Sequence, residues 1–198
     1  MRTGSDQTAA AGRRINFGCG RFPMAGWINV DIDASAAADV FHDLNQFPYP
    51  FESRSADAIL ASHVLEHTAD PFATMRELAR ILKPGGTLTV RVPHFSRGFT
   101  HADHRRGFDV TFPRYFDPEF TGGYSGTHLD IDRVQLRWFA QPYLKRRELS
   151  SSQFHVARAA GAWIDWWANL SPELASRLWC FWVGGFEEVE FEFRRPPS

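Results

Sequence analysis

Residues 55–93 read "SADAILASHVLEHTADPFATMRELARILKPGGTLTVRVP", and their order decides the fold. The first part, "ADAILAS" (56–62), is an almost unbroken apolar run, the pattern of a strand covered on both faces. A helix is expected next. Asp70 stands at its N-cap, Pro71 suits the first helical position, and Phe72, Met75, Leu78, Ala79 and Leu82 recur at helical spacing. "KPGG" (83–86) stops it. "TLTVRVP" (87–93) then reads as another strand. Strands joined through a helix argue for a mainly parallel α/β sheet.

Working outward, "RINFG" (14–18) reads as a short buried strand and "INVDI" (28–32), rich in β-branched residues, as a second. "DVFHDL" (39–44) is a third. "QFPYPFESRS" (46–55) is loop, because its prolines cannot serve a central strand. Downstream, "VQLRWFA" (134–140) and "EVEFEFR" (188–194) supply the last two strands. The alternation of acids and apolar residues in the latter predicts a half-exposed, antiparallel strand.

A chain of 198 residues can bury one sizeable core. Order is expected from about Arg14, with residues 1–13 a disordered tail and 14–198 a single domain. Cys19 and Cys180 are the only cysteines, which argues against a disulfide framework and for a reducing, cytoplasmic setting. No apolar run reaches the roughly 18 residues of a membrane span. The net charge of −1 and the lack of a broad basic stripe count against nucleic acid as partner.

The stretch "INFGCGRFPMAGWINVDID" (15–33) puts a Gly-Cys-Gly turn after the first strand and acids at the end of the second. Such a turn lets a ligand approach the backbone, and an acid at the next strand end can accept from ribose hydroxyls. Gly18, Gly20 and Asp31 fit that pattern. A dinucleotide fingerprint is disfavoured. Pro23 stands where its third glycine belongs, Asp31 comes too soon, and residues 21–27, with Pro23 and Gly26, cannot form a normal crossover helix.

Taken with "INFGCG" and "INVDID", the run 55–93 resembles the middle of a class I S-adenosylmethionine-dependent methyltransferase of the type-11 group, a likeness that spans about residues 14–94. The resemblance implies a Rossmann-like seven-stranded, mainly parallel sheet with an antiparallel last strand and helices on both faces. It also implies S-adenosylmethionine as cofactor. The Gly18–Cys19–Gly20 turn would lie against its methionine part, and Asp31, with Ile32 beside it, would hold the ribose. Asp43 and Leu44 would flank adenine, and Ser62 and His63 would border the reacting methyl. Asn16 stands where the family often has an acid, and the first helix is shortened or missing.

Methyl transfer is an in-line displacement that needs alignment more than a fixed catalytic set. A base is required only for a nucleophile that carries a tightly held proton. His94, which directly follows the fifth strand, is the first candidate, and His63 the second. In "PHFSRGFTHADHRRGFDVTFPRYF" (93–116), Arg97, His101, His104 and Arg105 are candidates to grip a small-molecule or glycan-type acceptor. "HADH" offers two imidazoles and a carboxylate, but its spacing matches no strong zinc motif, so no metal ligand is assigned. Residues 93–186 hold this acceptor loop and an aromatic-rich helical insertion. Its part 154–186 reads as two helices, the second capped by Ser171, with five of the seven tryptophans between 154 and 182. Packing of these aromatics on the sheet is expected first; a lid, a homodimer surface or a membrane-interface contact are the alternatives. Two competing functions stay open at this point: a non-catalytic cofactor-binding module that regulates a partner, and a nicotinamide oxidoreductase.

Overall fold

A computed structural model describes residues 12–97 and 101–197. The expected disordered tail falls mostly outside the described residues. Seven strands form one sheet: β1 (Arg14–Phe17), β2 (Ile28–Asp31), β3 (Val40–Phe41), β4 (Ala56–Ser62), β5 (Leu82–Pro93), β6 (Asp130–Arg137) and β7 (Glu188–Arg194). Their order is β3-β2-β1-β4-β5-β7-β6. The pairs from β3 through β5 are parallel, while β7 runs antiparallel to both β5 and β6. This is the seven-stranded, mainly parallel sheet the sequence implied.

The one helix between parallel strands is α1 (Pro71–Ile81). The Asp70 carboxylate accepts the N–H groups of Phe72 and Ala73 at 2.9 and 3.0 Å, so the expected cap is made. Met75, Leu78, Ala79 and Ile81 face the core. The connections β1–β2, β2–β3 and β3–β4 contain no helix. The loop 46–55 takes a helix's place by packing Tyr49 and Phe51 on Phe17, with ring centroids 5.7 and 5.8 Å away. It is tied to α1 by Tyr49 N–H to Glu77 and by Arg80 to the carbonyls of Tyr49 and Phe51.

Four details depart from the sequence reading. Strand β5 starts at Leu82, so "KPGG" lies inside it as an irregular start rather than as a separate turn. Strand β3 is only Val40–Phe41 and β6 is Asp130–Arg137, earlier than expected. Two of the three acids of β7 do not face water: Glu188 and Glu190 are buried, because His63, Arg91 and Arg137 reach across to neutralise them, while Glu192 stays partly exposed. Two helices do occupy the aromatic region, α3 (Ser151–Ala168) and the short α4 (Pro172–Arg177), preceded by α2 (Pro142–Glu148). Ser171 sits at the N-cap of α4 without a side-chain capping bond. Most of their large apolar side chains are not core. Trp163, Trp166, Trp167, Leu174, Leu178, Phe181 and Trp182 are exposed, against the expectation that they pack on the sheet. No helix among the described residues is long and apolar enough to cross a membrane.

Candidate functional site

The parallel strands end along one edge, and strand order reverses between β1 and β4, where open α/β sheets form ligand clefts. A cleft of about 440 Å³ opens there. Its walls come from four successive strand ends: Gly18 and Gly20 after β1, Val30, Asp31 and Ile32 at the end of β2, His42 to Asn45 after β3, and His63, Val64, His67 and Thr68 after β4.

Gly18 has φ +71° and is crossed closely by the β4 turn: a Cβ there would lie 1.9 Å from Cγ1 of Val64. Both Gly18 and Cys19 donate backbone N–H groups to Val30 O, at 2.8 and 3.2 Å. Gly20, at φ +48°, leaves open space where a side chain would stand. Asp31 fixes this turn, since its Oδ2 accepts Gly20 N–H at 2.7 Å and its Oδ1 accepts Asp33 N–H at 2.9 Å. Asp33 is instead an exposed cap for Ser35, whose backbone and side-chain bonds hold its carboxyl below the usual range. Leu44 is set by Tyr49, whose hydroxyl donates to Leu44 O at 2.9 Å.

A second cleft, about 420 Å³, adjoins the first and shares His63 and His67 with it. Arg97, His101 and His104 line it, as do Gln141, Leu144 and Lys145 from the start of α2, and Glu187. Arg97 pairs with Glu187 at 3.0 Å, and Lys145 reaches the same carboxylate.

His63 stands at the junction in a left-handed conformation, φ +55°. Its Nε2 lies 2.8 Å from Glu188 Oε2 and its Nδ1 3.4 Å from Glu66 Oε1. Burial pushes its pKa down, but the two carboxylates outweigh it and raise the value to about 9. His94 is placed elsewhere. It has no exposed surface and sits between the hydroxyls of Ser96 (2.7 Å) and Ser176 (2.8 Å), with a pKa lowered by burial to about 4. It lines neither cleft, so the expectation that it serves as base is corrected: a residue that ends a buried strand points into the core as readily as out of it.

Of the expected cofactor residues, Gly18, Gly20, Asp31, Ile32, Asp43, Leu44 and His63 line the first cleft. Asn16, Cys19 and Ser62 do not. Asn16 is buried and donates to Asn29 Oδ1 at 3.1 Å, which serves the β1–β2 pair. Cys19 is folded under its own turn, and burial together with the Asp31 charge raises its thiol pKa. Arg105 contributes its backbone rather than its side chain: its N–H donates to Glu66 O at 3.0 Å. His42, Asn45, His67 and Thr68 were missed. The "SHVLEH" motif could have flagged His67 and Thr68, since they continue the β4 turn by one helical turn.

A family model described as a methyltransferase domain matches residues 28–90, the segment that carries β2 through most of β5. Over that segment the chain is similar to the methyltransferase domain family. Solved structures of low identity share the fold. A methyltransferase from Archaeoglobus fulgidus is 16% identical with a TM-score of 0.54, covering 93% of this chain and 86% of that one. Geranyl diphosphate C-methyltransferase from Streptomyces coelicolor A3(2) is 13% identical at TM-score 0.57, over 93% and 70%. The cyclase SpnF is 18% identical at 0.54, over 94% and 76%.

S-adenosylmethionine is the cofactor that the likeness to a methyltransferase domain implies. The first cleft fits it. Glycine at position 18 is enforced by Val64, the space over Gly20 is open, and the volume lies in the range of small-molecule sites. Bound there, the cofactor supplies a methyl group on an already activated sulfonium.

Proposed function

We propose that this methyltransferase alkylates a small, polar acceptor of hydroxylated or anionic, glycan-precursor type, seated in the second cleft. One observation carries the reading: the cofactor-sized cleft and the cationic cleft share His63 and His67. A methyl donor in one therefore meets an acceptor in the other without leaving the protein, which is the alignment that in-line transfer needs. Arg97 and Lys145 flank the single carboxylate of Glu187 there, which leaves an excess of positive charge for a carboxylate or phosphate group, and Gln141 and the histidines give the cleft hydrogen-bonding groups. Both nitrogens of His63 face carboxylates, so its role here is to position Glu66 and Glu188 and shape the junction rather than to take a proton from the acceptor.

The test is a transfer assay with methyl-labelled S-adenosylmethionine and a panel of sugar phosphates, uronic acids and neutral sugars. The reading expects label on an anionic or hydroxylated member and a raised KM for it in Arg97→Ala. Label confined to apolar acceptors, or an Arg97→Ala enzyme indistinguishable from wild type on every substrate, would sink it.

A further inference from the structure

The 3-10 turn Leu65–His67 follows β4 and carries a buried acid. Glu66 has no exposed surface, and neither oxygen of its carboxylate accepts a hydrogen bond among the described residues. Its Oε1 lies 3.4 Å from Nδ1 of His63 and 3.9 Å from Nε2 of His104. His63 gives this carboxylate one cationic neighbour but no hydrogen bond, so a further cation would satisfy it. His63 is engaged at closer range by Glu188.

Three ligand atoms, one each from Glu66, His67 and His104, all lie within 4.8 Å of one another. We infer that these three side chains form a binding site for a divalent transition-metal ion. Two imidazoles and one carboxylate, with further positions open, suit zinc, manganese or iron(II). The set is built rather than accidental. Residues 101–106 are fastened to the 65–69 segment by Arg105 N–H to Glu66 O (3.0 Å) and by Arg106 to Ala69 O (3.1 Å). Nδ1 of His67 lies 3.3 Å from Asp103 O, which holds the proton on Nδ1 and leaves Nε2 for a metal. His101 stacks on His104 with ring centroids 4.9 Å apart. Donors about 2.1 Å from an ion in a tetrahedron stand about 3.4 Å apart. The three donor atoms therefore need to draw together by no more than about 1.4 Å on binding.

His67 and His104 both line the second cleft, so the open positions face the acceptor space. This deepens the methyl-transfer reading and rests on it: the ion takes an acceptor oxygen. A hydroxyl held so loses its proton to solvent more readily. The resulting oxyanion supplies the pair for the new oxygen–methyl bond while the sulfur–methyl pair returns to sulfur.

The experiment uses untagged, chelator-treated protein. Cobalt(II) is titrated by visible absorption and zinc(II) by calorimetry, with S-adenosylhomocysteine binding measured on the same samples. Wild type is compared with Glu66→Gln, His104→Ala and His101→Ala. The inference expects one ion per chain and a cobalt ligand-field band that zinc abolishes. Glu66→Gln and His104→Ala should each weaken binding more than about 100-fold, beyond the loss of an orienting partner alone. His101→Ala should retain the ion. If Glu66→Gln fails to fold, His104→Ala on its tethered loop decides. No stoichiometric binding, or binding indifferent to His104→Ala, overturns the site. Adenosyl binding without metal binding removes this inference and leaves methyl transfer standing. Metal binding without adenosyl binding removes the acceptor role and the function proposed above, and keeps the site.

Discussion

Nε2 of His63 lies 2.8 Å from Oε2 of Glu188, a residue 125 positions later in the chain. The contact joins the end of β4 to the start of β7, and it sets a cation between two buried acids at the point where the clefts meet. Replacing His63 by Asn keeps a residue that tolerates positive φ and removes the cation. Among the described residues, Glu188 then retains only Arg137, at 3.7 Å, as an ion-pair partner. Breaking a buried pair costs about 3–5 kcal/mol. Because the His63 side chain is 22% exposed, a loss near about 3 kcal/mol is expected. Urea unfolding of His63→Asn, Glu188→Gln and the double variant checks it: the double variant should be less destabilised than the two singles added together. Additive losses would show that the pair is not coupled.

The half of the sheet from β1 to β5 was legible, and the reasons are local. Asp70, Pro71 and the apolar spacing to Ala79 specify a helix wherever they occur, and a Gly-Cys-Gly turn between buried strands admits few conformations. The acids of β7 were not legible. Alternation of Glu with Val and Phe is the same string whether the acid face meets water or, as here, Arg91, Arg137 and His63, and those partners come from elsewhere in the chain. His94 misled for a similar reason, since its direction depends on Ser176, 82 residues away. Lys145 and Glu187 became cleft residues because the start of α2 and the residue before β7 come together beside the end of β5, which no local pattern announces.

His94 should make the fold acid-sensitive. Its folded pKa of about 4 lies below the 6.5 of a free imidazole, so between those values the unfolded chain binds a proton that the folded chain refuses. Stability is therefore fully present above pH 6.5 and is lost as pH falls toward 4, by up to about 3 kcal/mol. His94→Asn cannot titrate. It should be less stable than wild type at pH 7.5, having lost contacts to Ser96, Ser176 and Phe186, yet show a shallower decline between pH 6.5 and 4.5. Melting temperatures across that range decide. Parallel curves for the two proteins would mean that His94 is not the group concerned.

The two glycines of the β1 turn should respond differently to alanine. At Gly18 the new methyl meets Val64 at 1.9 Å and the backbone holds φ +71°. Overpacking costs about 1–3 kcal/mol and left-handed strain about 1–2 kcal/mol. At Gly20 only the strain applies, because nothing lies within 4 Å of the added methyl. Gly18→Ala should therefore lower the melting temperature clearly more than Gly20→Ala. The double change Gly18→Ala with Val64→Ala should recover part of the difference. An equal drop for both glycines would contradict the close crossing of the β1 and β4 turns.

The last prediction separates Asp31 from Asn16 in cofactor binding. Asp31 lines the first cleft and clamps Gly20 and Asp33 through both carboxylate oxygens. Asn16 is buried between β1 and β2, where it donates to Asn29. Hydrogen bonds to a charged group contribute about 1.5–3 kcal/mol, which is roughly 10- to 150-fold in a dissociation constant. Asp31→Ala should weaken S-adenosylhomocysteine within that range when titrated by calorimetry. Asp31→Asn should weaken it less, since an amide oxygen still accepts one of the two backbone N–H groups. Asn16→Ala should lower stability by about 1–3 kcal/mol, by leaving a buried polar group without its partner. Its cofactor affinity should remain close to wild type. The reverse order, with Asn16→Ala losing more affinity than Asp31→Ala, would place the ligand deeper against the sheet than the first cleft allows.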